Sequence, residues 1–210
     1  MTDNITQPFC LVLSLLCLFP VATQAQVEVA GDTVCINAAR ALTTVTPDRS
    51  VARALSELIT CPSSGPRAIA GAWARPPRDP GVLASLADVT GRLRDRRVHE
   101  AARAVLLDRA ADTYTRLSAL TAIAAHGDPC LALHIRISPT DAPGAYAYVM
   151  PGWRNDHQSR PGTEALSPSI REEVIALLDR LAKEEPEHPV DMVARLGARE
   201  LRRTDGTRRC

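Results

Sequence analysis

Aromatic residues make up only 3% of this 210-residue chain, and lysine occurs once, at Lys183. Both phenylalanines, Phe9 and Phe19, fall within the first 25 residues. The remaining chain is therefore expected to fill its core with Ala, Leu, Val and Ile. Such small side chains let helices approach closely and favour helix over a sheet sandwich, which wants β-branched and aromatic residues. A strong charge of one sign is missing too. The formal net charge of +1 excludes a global field steering the chain to nucleic acid or to an anionic membrane. Arginine carries almost all the basic charge, which reads first as codon bias and second as selection for bidentate contacts to carboxylate or phosphate.

Recognisable catalytic motifs are lacking as well. His126, Cys130 and His134 are spaced four apart, which on one continuous helix would make a metal-binding stripe, but Gly127, Asp128 and Pro129 interrupt it. Asp156-His157 offers a carboxylate able to orient an imidazole as general base, yet no nucleophile partners it. Ser159 and Ser167 are near in sequence, and neither lies in a Gly-x-Ser-x-Gly elbow. No cofactor and no metal is expected.

With 45% hydrophobic residues, the chain supports one sizeable core, so a single domain is expected over 26–210 after removal of a leader. Pro8 to Ala22 is a short apolar run, and Thr23-Gln24-Ala25 supplies small residues for cleavage before Gln26. Residues 1–25 read as a signal peptide, and the localisation expected is secreted or periplasmic. One departure is that Met1 to Gln7 contains Asp3 and no Lys or Arg. The alternative is an uncleaved anchor, so membrane contact would come only through that leader or through the basic tail, 202–210. Cys17 lacks the small residue ahead of it that lipidation wants.

Helix signals follow in order. Asp32 or Thr33 can cap a helix through Val34, Ala38, Ala41 and Leu42, and Thr46-Pro47 can open a second through Val51, Leu55, Leu58 and Ile59. Asp79-Pro80 opens a third, striped by Val82, Leu83, Leu86, Val89 and Leu93. After the polar break Arg94-Asp95-Arg96-Arg97 comes the stripe Val98, Ala101, Ala102, Val105, Leu106. Asp112 then caps a helix bearing Leu117, Leu120, Ile123 and Ala124. Ser167-Pro168 opens another through Ile170, Val174, Leu177, Leu178 and Leu181, and Pro189 to Leu201 closes the chain with a polar outer face.

Removing the leader takes Cys10 and Cys17 with it and leaves Cys35, Cys61, Cys130 and Cys210, an even set with three connectivities. Antiparallel packing of the first two helices brings Cys35 to Cys61, and Cys130 with Cys210 follows by elimination. The competing reading is four ordinary buried thiols.

Asp48, Val51, Ala54, Leu55, Leu58 and Ile59 align with Asp95, Val98, Ala101, Ala102, Val105 and Leu106 at a constant offset of 47. The segment Asp95-Arg-Arg-Val98-His99-Glu-Ala101-Ala102-Arg-Ala-Val105-Leu106 resembles the HEAT-repeat family, whose second helix begins with Asp, then Val-Arg, then alanines and a leucine. The resemblance covers Asp48 to His126 and, more weakly, Pro168 to Arg203. It implies a mostly α fold of antiparallel helix pairs, an α-solenoid, used as a binding surface with no chemistry of its own. His99 departs from the pattern, because the family usually carries there an arginine that ties repeats together.

Beyond His126 the period changes from 3.6 to two. Leu131, Leu133, Ile135 and Ile137 alternate with Ala132, His134, Arg136 and Ser138, and Ala145 to Met150 offers a second strand. The expectation is a small β-hairpin inserted between helical pairs, then a long polar loop from Pro151 to Leu166, the insertion spanning about 130–166. Loops of that length are usually functional or disordered. In so aromatic-poor a chain, Tyr146, Tyr148 and Trp153, flanked by Arg154, His157 and Arg160, form the candidate contact patch for a protein partner, with ordinary packing of the hairpin as the competing reading. The functional expectation is an exported, non-catalytic binding or scaffold module. The alternative is an envelope hydrolase or metal-dependent enzyme built on the 126–160 region.

Overall fold

Three aspartates set the frame of the molecule, each accepting a backbone N–H at the start of a helix. Asp79 accepts from Val82 at 2.9 Å, Asp95 from Arg97 at 2.9 Å, and Asp112 from Thr115 at 3.0 Å. The computed structural model describes residues 33–39, 49–137, 147–153, 160–161, 163–184 and 188–204, with the backbone alone at 49–52, 134–137, 147–153 and 160–161. Residues 1–32, 40–48, 138–146, 154–159, 162, 185–187 and 205–210 lie outside the described residues.

Among those residues there are eight helices: α1 (33–39), α2 (Arg49–Leu58), α3 (Ser64–Ala74), α4 (Pro80–Arg92), α5 (Arg96–Leu107), α6 (Thr113–Gly127), α7 (Ile170–Glu184) and α8 (Pro189–Arg203). The fold is mostly α. Even-numbered helices pack in succession, α2 on α4, α4 on α6 and α6 on α8, while α3 packs on α5 and α7 covers α6 and α8. None of the described helices is long and apolar enough to cross a membrane.

α6 was expected to show one apolar stripe, and instead its buried positions run round the whole cylinder, from Thr115 to Gly127. It touches α4, α5, α7 and α8, so no face is left for water. Leu117, Leu120 and Ile123 are fully buried, and each such side chain contributes roughly 1.5–3 kcal/mol. Gly127 ends the helix where two neighbours close in. A Cβ there would meet the Leu201 side chain at 3.1 Å and Val174 at 3.3 Å.

α3 had no counterpart in the sequence expectations, and it corrects the picture of an aromatic-free core. Trp73 on α3 is fully buried and is among the largest side chains inside the protein. The preceding corner needs glycine, since a Cβ on Gly65 would lie 2.1 Å from the Leu58 carbonyl oxygen. Cys61 sits in the same corner, joined to Cys35 of α1 with Cα atoms 5.8 Å apart. α1 is thereby tied across the α2–α3 turn.

The 47-residue offset holds for the helix starts, Arg49 and Arg96, and for Leu55 and Ala102, which are both buried, whereas Ala54 and Leu58 are buried and their counterparts Ala101 and Val105 only half-buried.

Strand β1 (Leu93–Arg94) lies between α4 and α5, and strands β2 (Leu131–Ile137) and β3 (Ala147–Trp153) form the antiparallel hairpin, from Leu131↔Trp153 to Ile137↔Ala147. β3 runs three residues beyond the strand expected to end at Met150, taking in Pro151, Gly152 and Trp153. Proline is tolerated there because each strand of a two-stranded sheet has an open edge. The polar stretch 151–166 is correspondingly not one loop. β4 (Arg160–Pro161) pairs in parallel with β1, and Ala165 bridges to Asp95.

Candidate functional site

The insertion 131–165 meets the helical body at both ends, with charged side chains at each and with Leu131 and Leu133 of β2 packed in the core at the first. At the first, Asp128 follows α6 and its Oδ1 accepts from the Cys130 N–H at 2.9 Å, turning the chain into β2. Asp128 is buried, and Arg171 of α7 brings Nη1 to 3.7 Å from its Oδ2. The same guanidinium donates to the Gly127 carbonyl at 3.4 Å, to the Leu201 and Thr204 carbonyls, and to Thr204 Oγ1 at 2.8 Å. One arginine therefore holds the end of α6, the start of α7 and the end of α8 together where the hairpin leaves. Burial lowers the pKa of Arg94, and Asp128 opposes that shift by attraction.

The second attachment is Asp95, in the stretch that reads as a polar break. It is no surface break, because Asp95 is 0% exposed. Its Oδ1 caps α5 and its Oδ2 accepts from the Glu164 N–H at 3.0 Å, while the Arg96 N–H donates to the Glu164 carbonyl at 2.8 Å. Arg97 completes the clasp with Nε 3.0 Å from Glu164 Oε1 and Nη2 donating to Thr163 Oγ1 at 2.5 Å.

Of the candidate contact residues, Tyr148 pairs with Arg136, Trp153 with Leu131 and Arg160 with Leu93. Tyr148 stands near the free end of the ladder and Trp153 at its base, five residue steps or about 17 Å apart along the strand. Tyr146, Arg154 and His157 lie outside the described residues. So does Cys210. Cys130 is buried and disulfide-bonded, with a partner outside the described residues.

The groups named for the enzyme alternative do not converge where they are described. His126 and Asp128 enter separate hydrogen-bond sets, His134 is described as backbone opposite Met150, and Asp156 and His157 lie outside the described residues.

A polar chain that sequence reasoning missed crosses the body. Trp73 Nε1 of α3 donates to Thr90 Oγ1 of α4 at 2.7 Å, and His126 Nε2 of α6 lies 2.8 Å from the Thr90 carbonyl. That carbonyl only accepts, so His126 Nε2 carries the proton and Nδ1 is a lone pair. His99 Nδ1 of α5, 3.0 Å away, donates to it. Desolvation holds both imidazoles below the ordinary value, with His126 pushed down to about 3 by burial first and by His99 second. The pair is neutral and joins α5, α6 and α4. One sequence signal pointed to it: His99 occupies the position where the family resemblance implies an arginine tying repeats together.

No protein-family model matches the chain, and no curated protein matches it. Among solved structures it is similar to human deoxyhypusine hydroxylase in complex with glycerol. The TM-score is 0.54 over 85% of this chain and 46% of that one, at 17% identity. The likeness shows the fold alone, a HEAT-repeat-like helical fold. This chain spans just under half of that protein's length.

Proposed function

We propose that this protein is an exported, non-catalytic binding module in which an α-solenoid of HEAT-like helix pairs presents the 131–165 insertion to a protein partner. The observation that carries this reading is the double attachment of the insertion, at Asp128–Arg171 and at Asp95–Glu164. A hairpin alone is marginal in water, whereas one fixed at both ends to a packed body is presented with little entropy left to lose on binding. Its contact residues are Tyr146, Tyr148, Trp153, Arg154, His157 and Arg160. Tyr, Trp and Arg dominate interface energetics because they bury large areas and keep a polar tip. The Cys35–Cys61 bond supports export, since disulfides persist in oxidising compartments, and it supports the second pairing, Cys130 with Cys210.

The test is affinity capture from the native envelope with wild-type protein and with Trp153→Ala and Tyr148→Ala, followed by mass spectrometry and a melting curve for each. A partner held by wild type should be lost from both variants, an affinity loss of about thirtyfold or roughly 2 kcal/mol, with melting nearly unmoved. Retention of the same partner by both folded variants would remove the insertion as the binding surface.

A further inference from the structure

The buried histidine pair of the body has one open place for a proton. Its neutral state is fixed from the inside outward. The Thr90 carbonyl, which only accepts, keeps the proton of His126 on Nε2, and the lone pair of His126 Nδ1 keeps the proton of His99 on Nδ1, 3.0 Å away. Three of the four ring nitrogens are thereby committed. The fourth, His99 Nε2, has no hydrogen bond among the described residues, yet it is not sealed from water as Arg94 Nη1 and Asp128 Oδ2 are. It is the one lone pair that an incoming proton takes without breaking a bond already made.

Burial and the surrounding charges favour the same nitrogen. Burial disfavours a charge on both rings, and more so on His126, which is 0% exposed against 5% for His99. Glu100 and Arg103 of α5 act on His99 with opposite signs, and the Glu173 carboxylate of α7 favours a cation there. The charges acting on His126 are His99 itself and Arg94 of β1, both opposing a cation, while the backbone of Thr90 and Leu93 favours one. A proton on His99 Nε2 leaves Nδ1–H donating, now in a charge-assisted bond roughly twice as strong as a neutral one. A second proton must take the accepting lone pair of His126 Nδ1, which sets two N–H groups and two positive charges face to face in the interior.

We propose that the His99–His126 pair is a two-stage acid device at the α5–α6 joint: the first proton enters at His99 Nε2 with the bond between the rings intact, and only the second, at His126 Nδ1, breaks it. His99 lies one turn inside α5 and donates its backbone N–H to the Asp95 carbonyl, and His126 lies two residues before Asp128. The joint therefore sits between the two places where the insertion meets the body. It stays closed through mild acid that charges two independent histidines.

The experiment is a pH titration of the full chain carrying 15N-labelled histidine, with each ring nitrogen followed separately by NMR, which assigns the protons of a coupled pair site by site. At neutral pH His99 should carry its proton on Nδ1 and His126 on Nε2, with a nitrogen–nitrogen coupling across the bond between the rings. On acidification His99 Nε2 should shift first, and the coupling should persist through that transition. His99→Asn keeps an N–H in the place of Nδ1 and removes Nε2, so it should hold the His126 tautomer and raise the His126 midpoint by about one pH unit, the like charge being gone. Should His99→Asn not fold, Glu173→Gln on the exposed side of α7 removes the attracting carboxylate and should lower the His99 midpoint with the order of the two rings unchanged. The proposal falls if neutral His99 carries its proton on Nε2, if His126 titrates at or above His99, or if the coupling vanishes as His99 takes its proton. It falls also if the wild-type protein unfolds in acid with both rings still neutral.

Discussion

The helical body and the insertion use polar side chains in opposite ways. In the body, Trp73, Thr90, His99 and His126 point inward and join four helices in one chain of hydrogen bonds among fully packed apolar neighbours. In the insertion, the described charged contacts sit at the two attachment points, while the base of the hairpin packs on α6 and α8 with Leu131 and Leu133 in the core. On the proposed function, a substitution at a buried helical position should be felt as unfolding, and one at a contact residue of the insertion as lost binding.

The largest effect is expected at Val98, which is fully buried on α5. Val98→Asp places an unpaired carboxylate in the core and should cost upwards of about 4 kcal/mol in urea denaturation. A variant that melts like wild type would show that α5 is not part of the packed body.

Acid should act next most strongly, through the histidine pair. Both imidazoles have folded pKa values below the unfolded value of 6.5, so below that pH the unfolded chain takes up protons that the folded one refuses. Stability present above pH 6.5 should fall as pH drops toward about 3, by on the order of 3 kcal/mol at pH 4 from His126 alone. Comparing wild type with His126→Gln at pH 7, 5 and 4 isolates this part from the carboxylates. The wild-type slope should be the steeper, and equal slopes would mean the pair is not buried neutral.

Replacing both Cys35 and Cys61 by Ser should cost about 3 kcal/mol, because the bridge closes a loop of 26 residues in the unfolded chain. Thiol titration of the protein under non-reducing conditions checks the bond directly, and free thiols at both positions would overturn it. The smallest effect on stability belongs to Trp153→Ala in the insertion, under about 0.5 kcal/mol, alongside the thirtyfold loss of partner affinity. Global unfolding by this substitution would place Trp153 in the core and erase the division between body and insertion.

Local chemistry made most of the helices legible. Asp79 and Asp112 cap as their spacing to the apolar stripes implies, Asp95 caps where the family resemblance implies a helix start, Pro80 and Pro189 open their helices, and Pro129 follows the end of α6. The hairpin was legible for the same kind of reason, its alternation being a property of consecutive residues. α3 escaped because Ser63-Ser64-Gly65-Pro66 reads as a turn, and Ser63 forms no side-chain cap that would mark the start. The candidate contacts on the insertion were legible as residue types, but not their spread along the strand.

By itself, then, the sequence determined where helices begin, where the period changes and which cysteines suit a bridge, because each of these is written within a few residues. Only the tertiary structure decided that Asp95 is interior, that Leu93 pairs with Arg160, and that His99 meets His126. The physical reason is range. A polar group's partner across 27 or 69 positions leaves no periodicity in the chain, so neither the His99–His126 contact nor the bond from the Glu164 N–H to buried Asp95 could be read from neighbouring residues.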